Sequence, residues 1–260
     1  MKQSGHGRFK VVLYDEPVDA GALIDALARA PVQAGLGRGA VRLITLNGRT
    51  FVCRQYLHGG LFRAVTGDRF ASGDRVKREA EVLRYLGEKG FPVVKPFCTI
   101  IEQRAFFRKL YLVTYLEDGS DLLKFLNGAT PGARLRTIRA LAGLMWELHR
   151  LGVFHPDLHI KNVLVKPGGG LVFLDFDRAE RRAPTRDDAE WMLWRLDRFV
   201  EKMELRGELR VRPVERMLFL RTFDRLSAYH LAESMQEREG VRKRRRRLGW
   251  LLESALYRRR

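Results

Sequence analysis

The segment His155-Pro156-Asp157-Leu158-His159-Ile160-Lys161-Asn162 sets an aspartate and an asparagine five residues apart. Asp175-Phe176-Asp177 begins thirteen residues after that asparagine. Phosphoryl transfer needs one carboxylate beside the attacking hydroxyl and two oxygen ligands for Mg²⁺ next to the nucleotide phosphates. Asp157 has the residue type and place for the first task, and Asn162 and Asp175 for the second. Taken singly, each is as well suited to forming a turn or capping a helix. The register of the three together is what points to chemistry.

Positioning these groups requires short, stiff elements around them. Val163-Leu164-Val165 is a β-branched strand candidate, Gly168-Gly169-Gly170 a turn, and Leu171-Val172-Phe173-Leu174 a second apolar strand that delivers Asp175. Upstream, residues 9–14 read as a strand and residues 18–30 as a helix. Asn47-Gly48 between the apolar runs 41–45 and 50–54 is a strong hairpin signal. Before that hairpin, Gly35, Gly37 and Gly39 alternate with other residues. Such a turn suits close backbone approach to nucleotide phosphates, though an ordinary turn has the same composition. Residues 74–87 read as a helix, residues 98–101 and 110–116 as strands, and residues 134–151 as a long amphipathic helix. Further helices follow Asp187. Strands first and helices later, with the motif cluster between, predict an α+β fold of two lobes and a cleft near Leu116.

The boundaries expected are a nucleotide-binding lobe over residues 1–116, a catalytic lobe over 117–237, and a basic amphipathic tail over 238–260. That tail holds ten Lys or Arg against two Glu, so it supplies +8 of the chain's net +18. The basic run 242–247 leads into Leu248, Trp250, Leu251, Leu252 and Tyr257. Cations joined to a Trp/Leu-rich face suit an anionic bilayer surface; a solvated tail, or one docked on the protein's own body, is the alternative. No apolar run approaches the ~20 residues that span a bilayer, and the first residues lack the apolar core of a signal peptide. Cys53 and Cys98 lie in apolar segments and read as reduced core residues of a cytosolic protein.

The chain resembles the lipopolysaccharide core kinases, most closely the 3-deoxy-D-manno-octulosonic acid (Kdo) kinase group of the protein-kinase-like superfamily. The residues that carry this are Gly37-Arg38-Gly39, the stretch from Arg54 through His58-Gly59-Gly60-Leu61, Asp68-Arg69-Phe70, Arg78-Glu79 and Gly90-Phe91-Pro92-Val93-Val94-Lys95-Pro96. The catalytic segment, Leu174-Asp175-Phe176-Asp177-Arg178 and Trp194-Arg195-Leu196 complete the match. It spans roughly residues 35 to 205. The resemblance implies a bilobal protein-kinase-like fold, with an N-terminal antiparallel sheet lobe and a mainly helical C-terminal lobe.

It further implies an ATP-dependent kinase acting on a sugar hydroxyl of the lipopolysaccharide inner core, Kdo or heptose on lipid A. Asp157 would be the base, Asn162 and Asp175 would hold Mg²⁺, and Gly35, Gly37 and Gly39 would cover the ATP phosphates. Glu79 would brace Arg54, which stands where protein kinases place a lysine; a guanidinium grips phosphate by its planar fork. His155 would hold the two loops in register through the backbone near Asp175. Asp177, where protein kinases have glycine, would ligate metal or cap a turn, with the cap favoured. His159 would line the acceptor pocket or lie at the surface. Arg63, Arg69, Arg178, Arg181, Arg182 and Arg186 are candidates for the anionic glycolipid. The enzyme would be cytoplasmic, peripheral on the inner face of the cytoplasmic membrane through its tail, with no specific nucleic-acid partner. Other readings are a Ser/Thr protein kinase or another small-molecule kinase, against which the lack of an A-P-E segment counts. A pseudokinase or nucleic-acid-binding module is the non-enzyme alternative.

Overall fold

A computed structural model of the protein describes residues 2–33, 40–58, 67–232 and 235. The expected glycine turn at residues 35–39, Arg63 and the tail 238–260 lie outside the described residues.

Asn47 and Gly48 both adopt left-handed backbone, with φ of 49° and 74°, the condition for a two-residue turn that follows the natural twist of its strands. They join β4 (Ala40–Leu46) to β5 (Arg49–Gln55). The remaining strands of this sheet are β1 (Lys2–His6), β2 (Phe9–Leu13), β3 (Val32–Gln33), β6 (Pro96–Gln103) and β7 (Arg108–Tyr115). They run in the order β1-β2-β6-β7-β5-β4-β3, antiparallel throughout. Strand β5 alternates as antiparallel pleating requires. Phe51, Cys53 and Gln55 are buried, while Val52 and Arg54 point to the opposite face. Helix α1 (Ala20–Arg29) lies against the inner face, packing Leu23, Ile24 and Leu27 on Val11, Ile44, Phe97 and Val113. Cys53 and Cys98 are free thiols within this core, and burial pushes that of Cys53 up to about 12.

Helix α2 (Asp74–Glu88) buries Val76, Ala80, Leu83 and Leu86, and with them the carboxylate Glu79. Its apolar residues belong to a second, larger core that continues into the helices beyond Gly119. The connection there is tight: Gly119 has φ of +153°, and a Cβ would sit 2.6 Å from the Val165 carbonyl oxygen. The helices that follow are α3 (Leu122–Gly128), α4 (Pro131–Arg150), α5 (Arg186–Leu205) and α6 (Pro213–Ser227). Asp121 caps α3 and Thr130 caps α4, while Thr185 and Asp188 close a capping box on α5. Ile138, Leu141, Met145 and Leu148 form the buried stripe of α4.

Short strands pin the chemical segments at both ends. Before the first segment, β9 (Val153–Phe154) pairs with β12 (Glu180–Arg181); after it, β10 (Val163–Val165) pairs with β8 (Ser120–Asp121) and β11 (Leu171–Phe173). Strand β11 also bonds the sheet side of the molecule: the Phe173 amide donates to Pro92 at 2.8 Å and the Val94 amide to Phe173 at 3.0 Å. The architecture is α+β, a seven-stranded antiparallel sheet plus six helices among the described residues.

Candidate active site

Arg54 reaches from β5 across to α2 and to the segment after β11. Its Nη2 donates to both oxygens of Glu79, at 2.5 and 2.6 Å, and its Nη1 donates to Asp175 Oδ1 at 2.7 Å. Glu79 is sealed from solvent and takes two further donors, the Tyr56 hydroxyl and the Phe176 amide at 2.9 Å. The buried carboxylate thus spends both oxygens on the basic residue and on the backbone beside Asp175. Burial raises the Glu79 carboxyl to about 7, against the opposing pull of Arg54. Burial also works against the Arg54 charge, but Glu79 and Asp175 outweigh it and hold the guanidinium protonated.

One turn before Glu79 on the same face of α2, Arg75 grips Asp177 through Nε at 2.5 Å and through Nη2. The guanidinium lies over the rings of Tyr56 and Phe70. The expected turn-capping or metal-ligating Asp177 is thus paired with a residue of α2. The fork geometry of a guanidinium suits this two-bond grip on a carboxylate. Residues four apart on one helix face, Arg75 and Glu79, clamp the Asp-Phe-Asp segment between them.

Asp175 takes left-handed backbone, φ 53°, a region that Asp tolerates better than most residues with a Cβ. Its carbonyl accepts a hydrogen bond from His155 Nε2 at 2.9 Å. His155 is fully enclosed and burial lowers its pKa, so the ring is neutral with the proton on Nε2. This is the register-holding role expected of it. Burial raises and Arg54 lowers the Asp175 carboxyl; the net displacement is downward, so the group is ionised. Asn162 ends a 3₁₀ turn (Ile160–Asn162), and its carbonyl accepts from the Leu174 amide at 2.8 Å. The asparagine is thus tied to the residue immediately before Asp175.

Asp157 is held from α5. Arg195 donates to its Oδ1 through Nε at 3.0 Å and Nη2 at 2.5 Å. Burial opposes the charge on Asp157, but Arg195, with His159 and Arg178 adding to it, brings the carboxyl below the ordinary carboxylate range. Both Arg195 bonds fall on the one oxygen, Oδ1. His159 stacks on Phe199 of α5, ring centroids 4.4 Å apart, which anchors the loop to the same helix.

The arginines proposed for the acceptor separate into two groups. Arg181 lies over the Tyr85 ring, and Arg182 over Phe154 while pairing with Asp188. Arg186 pairs with Glu190, and Arg69 stacks on Phe107. Arg178 is exposed and near enough to act on Asp157. Sequence reasoning gave Arg75 and Arg195 no role, since nothing local to either residue signals a partner 102 or 38 positions away.

A family model described as the lipopolysaccharide kinase (Kdo/WaaP) family matches residues 25–216. The chain belongs to this family. It is similar to proteins named 3-deoxy-D-manno-octulosonic acid kinase: 31% identical to that of Xylella fastidiosa strain M12 over 78% of this chain and 80% of the relative. The Xanthomonas oryzae pv. oryzae relative is 32% identical over 78% of this chain and 79% of its own length. That of Xylella fastidiosa strain 9a5c is 30% identical over 88% and 93%.

As a member of the lipopolysaccharide kinase family, the protein is an ATP-dependent kinase. The donor set fits a hard divalent cation that shares its shell with phosphates. Asn162 and Asp175 offer oxygen ligands, and Mg²⁺ is commonly held by one or two such groups plus substrate phosphates and water. Among the described residues, no group of three or more His, Cys, Asp or Glu is placed to hold an ion unaided. When bound, the ion would neutralise charge developing on the transferred phosphoryl.

Proposed function

We propose that this chain transfers the γ-phosphoryl of ATP to a hydroxyl of the acidic sugar Kdo, carried on lipid A in the lipopolysaccharide inner core. The observation that supports this most is the Arg54–Glu79–Asp175 network joined to an Arg-held Asp157, in a chain similar to relatives named for that sugar. Arg54 would contact the α- and β-phosphates, Asn162 and Asp175 would hold Mg²⁺, and Gly35, Gly37 and Gly39 would close over the phosphates. Asp157 Oδ2 would orient the sugar hydroxyl and take its proton as the bond to phosphorus forms. Transfer through a loose transition state asks for positioning more than for a strong base, which suits a carboxylate of lowered pKa. Residues 1–116 would act as the nucleotide lobe and 117–237 as the catalytic lobe. The tail 238–260 would hold the enzyme on the anionic inner face of the cytoplasmic membrane, where such a glycolipid lies.

The test is transfer from radiolabelled ATP to Kdo-lipid A, a heptosylated core lipid and a generic protein. Label on Kdo-lipid A supports the reading; label on the heptosylated lipid alone moves the acceptor to heptose, and label on protein alone rejects a sugar kinase. Deleting residues 238–260 is expected to reduce pelleting with anionic vesicles at fixed salt.

A further inference from the structure

Helix α5 turns one side inward, burying Ala189, Met192, Leu193, Leu196, Phe199 and Met203. Arg195, which holds Asp157, sits at the border of that side. Residues four before and three after it share its face of the helix. They are Trp191, whose surface is 47% exposed, and Arg198. Trp191 pairs with Trp194 at a centroid distance of 4.8 Å, and the Arg198 guanidinium lies over the Trp194 ring at 5.6 Å. Trp191 is exposed and Trp194 half-buried, so the pair offers an aromatic surface to a ligand beside a cation.

Arg195 ties this side of α5 to Asp157, the carboxylate that an acceptor hydroxyl would meet. Four residues of helix advance about 6 Å, close to the width of a single sugar ring. Indole faces are electron-rich and apolar, so they pack against the C–H face of a pyranose. A guanidinium grips a carboxylate with two parallel bonds. The Arg178 charge also acts on Asp157 and keeps the local field positive. We infer that Trp191, Trp194 and Arg198 form the acceptor subsite, taking an acidic pyranose with its ring on the indoles and its carboxylate on Arg198. This rests on the sugar-kinase reading above and names the surface that selects its substrate.

The full chain would be assayed with Kdo-lipid A in detergent micelles, alongside Trp191→Ala, Trp191→Phe and Arg198→Ala. Each alanine variant is expected to raise the acceptor KM about tenfold, the size of one lost aromatic or charge-assisted contact. The ATP KM should stay unchanged, and Trp191→Phe should recover most of the loss. Free Kdo should inhibit the wild type better than its neutral methyl ester, and Arg198→Ala should abolish that difference. Unchanged acceptor KM in both alanine variants, with the wild type active, would overturn the subsite and leave the kinase reading intact. Weakened vesicle binding with unchanged acceptor KM would give the face to the lipid surface and equally overturn it. A wild type that phosphorylates no Kdo acceptor would remove the reading and the subsite together.

Discussion

Arg195 places two hydrogen bonds on a single oxygen of Asp157, Nε at 3.0 Å and Nη2 at 2.5 Å. The contact aims the other oxygen and keeps the group ionised. Arg195→Ala is expected to lower kcat on the order of a hundredfold, the loss that follows when a reacting group shifts by about 1 Å. The ATP KM should hold. Because Arg195 lowers the Asp157 pKa, its removal raises that pKa, and the acid limb of the kcat/KM profile should move to higher pH. Arg195→Lys should restore the limb more than the rate. A profile that stays in place would show that the arginine only supports the fold.

Arg54 serves Glu79 and Asp175 at once, a geometry that needs a planar fork. Arg54→Ala leaves a fully buried carboxylate without its cation, a change that costs about 3–5 kcal/mol, so both Tm and ATP affinity should fall. Arg54→Lys supplies one ammonium for two carboxylates and should keep stability better than ATP affinity. Thermal melts with and without Mg²⁺-ATP separate the two effects. Wild-type ATP affinity in Arg54→Ala would remove this residue from the phosphate site.

The Arg75–Asp177 pair is a second tie between α2 and the Asp-Phe-Asp segment. Arg75→Ala and Asp177→Asn should each destabilise the protein, and the double variant should cost less than the sum by about 1–3 kcal/mol. Denaturant melts of the four proteins give the coupling. Simple additivity would mean the pair carries no energy of its own.

Glu215 is buried at the start of α6, bonded by Arg134 through Nε at 2.7 Å and Nη2 at 2.8 Å, and by the Arg212 amide at 2.8 Å. These bonds, Arg134's foremost, lower its carboxyl from 4.5 to about 2. A depressed folded-state pKa stabilises above the unfolded value, and that stabilisation is lost as pH falls through the folded value. The contribution, on the order of 3 kcal/mol, should be full above pH 4.5 and vanish as pH falls toward 2. Glu215→Gln should flatten the stability profile across that window, as measured by urea midpoints at stepped pH. An unchanged slope would mean the pairing persists in the unfolded chain.

Local signals in the sequence were enough to single out Asp157, Asn162 and Asp175 as candidates, because a single turn and two short strands set their spacing. The hairpin at Asn47-Gly48 was legible for the same reason, its two residues being the ones that tolerate left-handed backbone. Strand β1 was not: Lys2–His6 has no apolar alternation, since this edge strand is held by pairing with β2 alone. The pairing of Asp177 with Arg75 was not legible, because that partner comes from a helix about a hundred residues upstream. Arg195 was hidden likewise. Helical periodicity puts it beside the buried Leu196, but which loop it faces depends on how α5 docks.

The most direct test of the central claim is phosphate transfer from ATP to Kdo-lipid A by the full chain, with Asp157→Ala measured beside it and ATP binding followed in both. The account predicts label on the sugar for the wild type, loss of nearly all turnover in Asp157→Ala, and similar ATP affinity in the two proteins. Near-normal turnover in Asp157→Ala would contradict it.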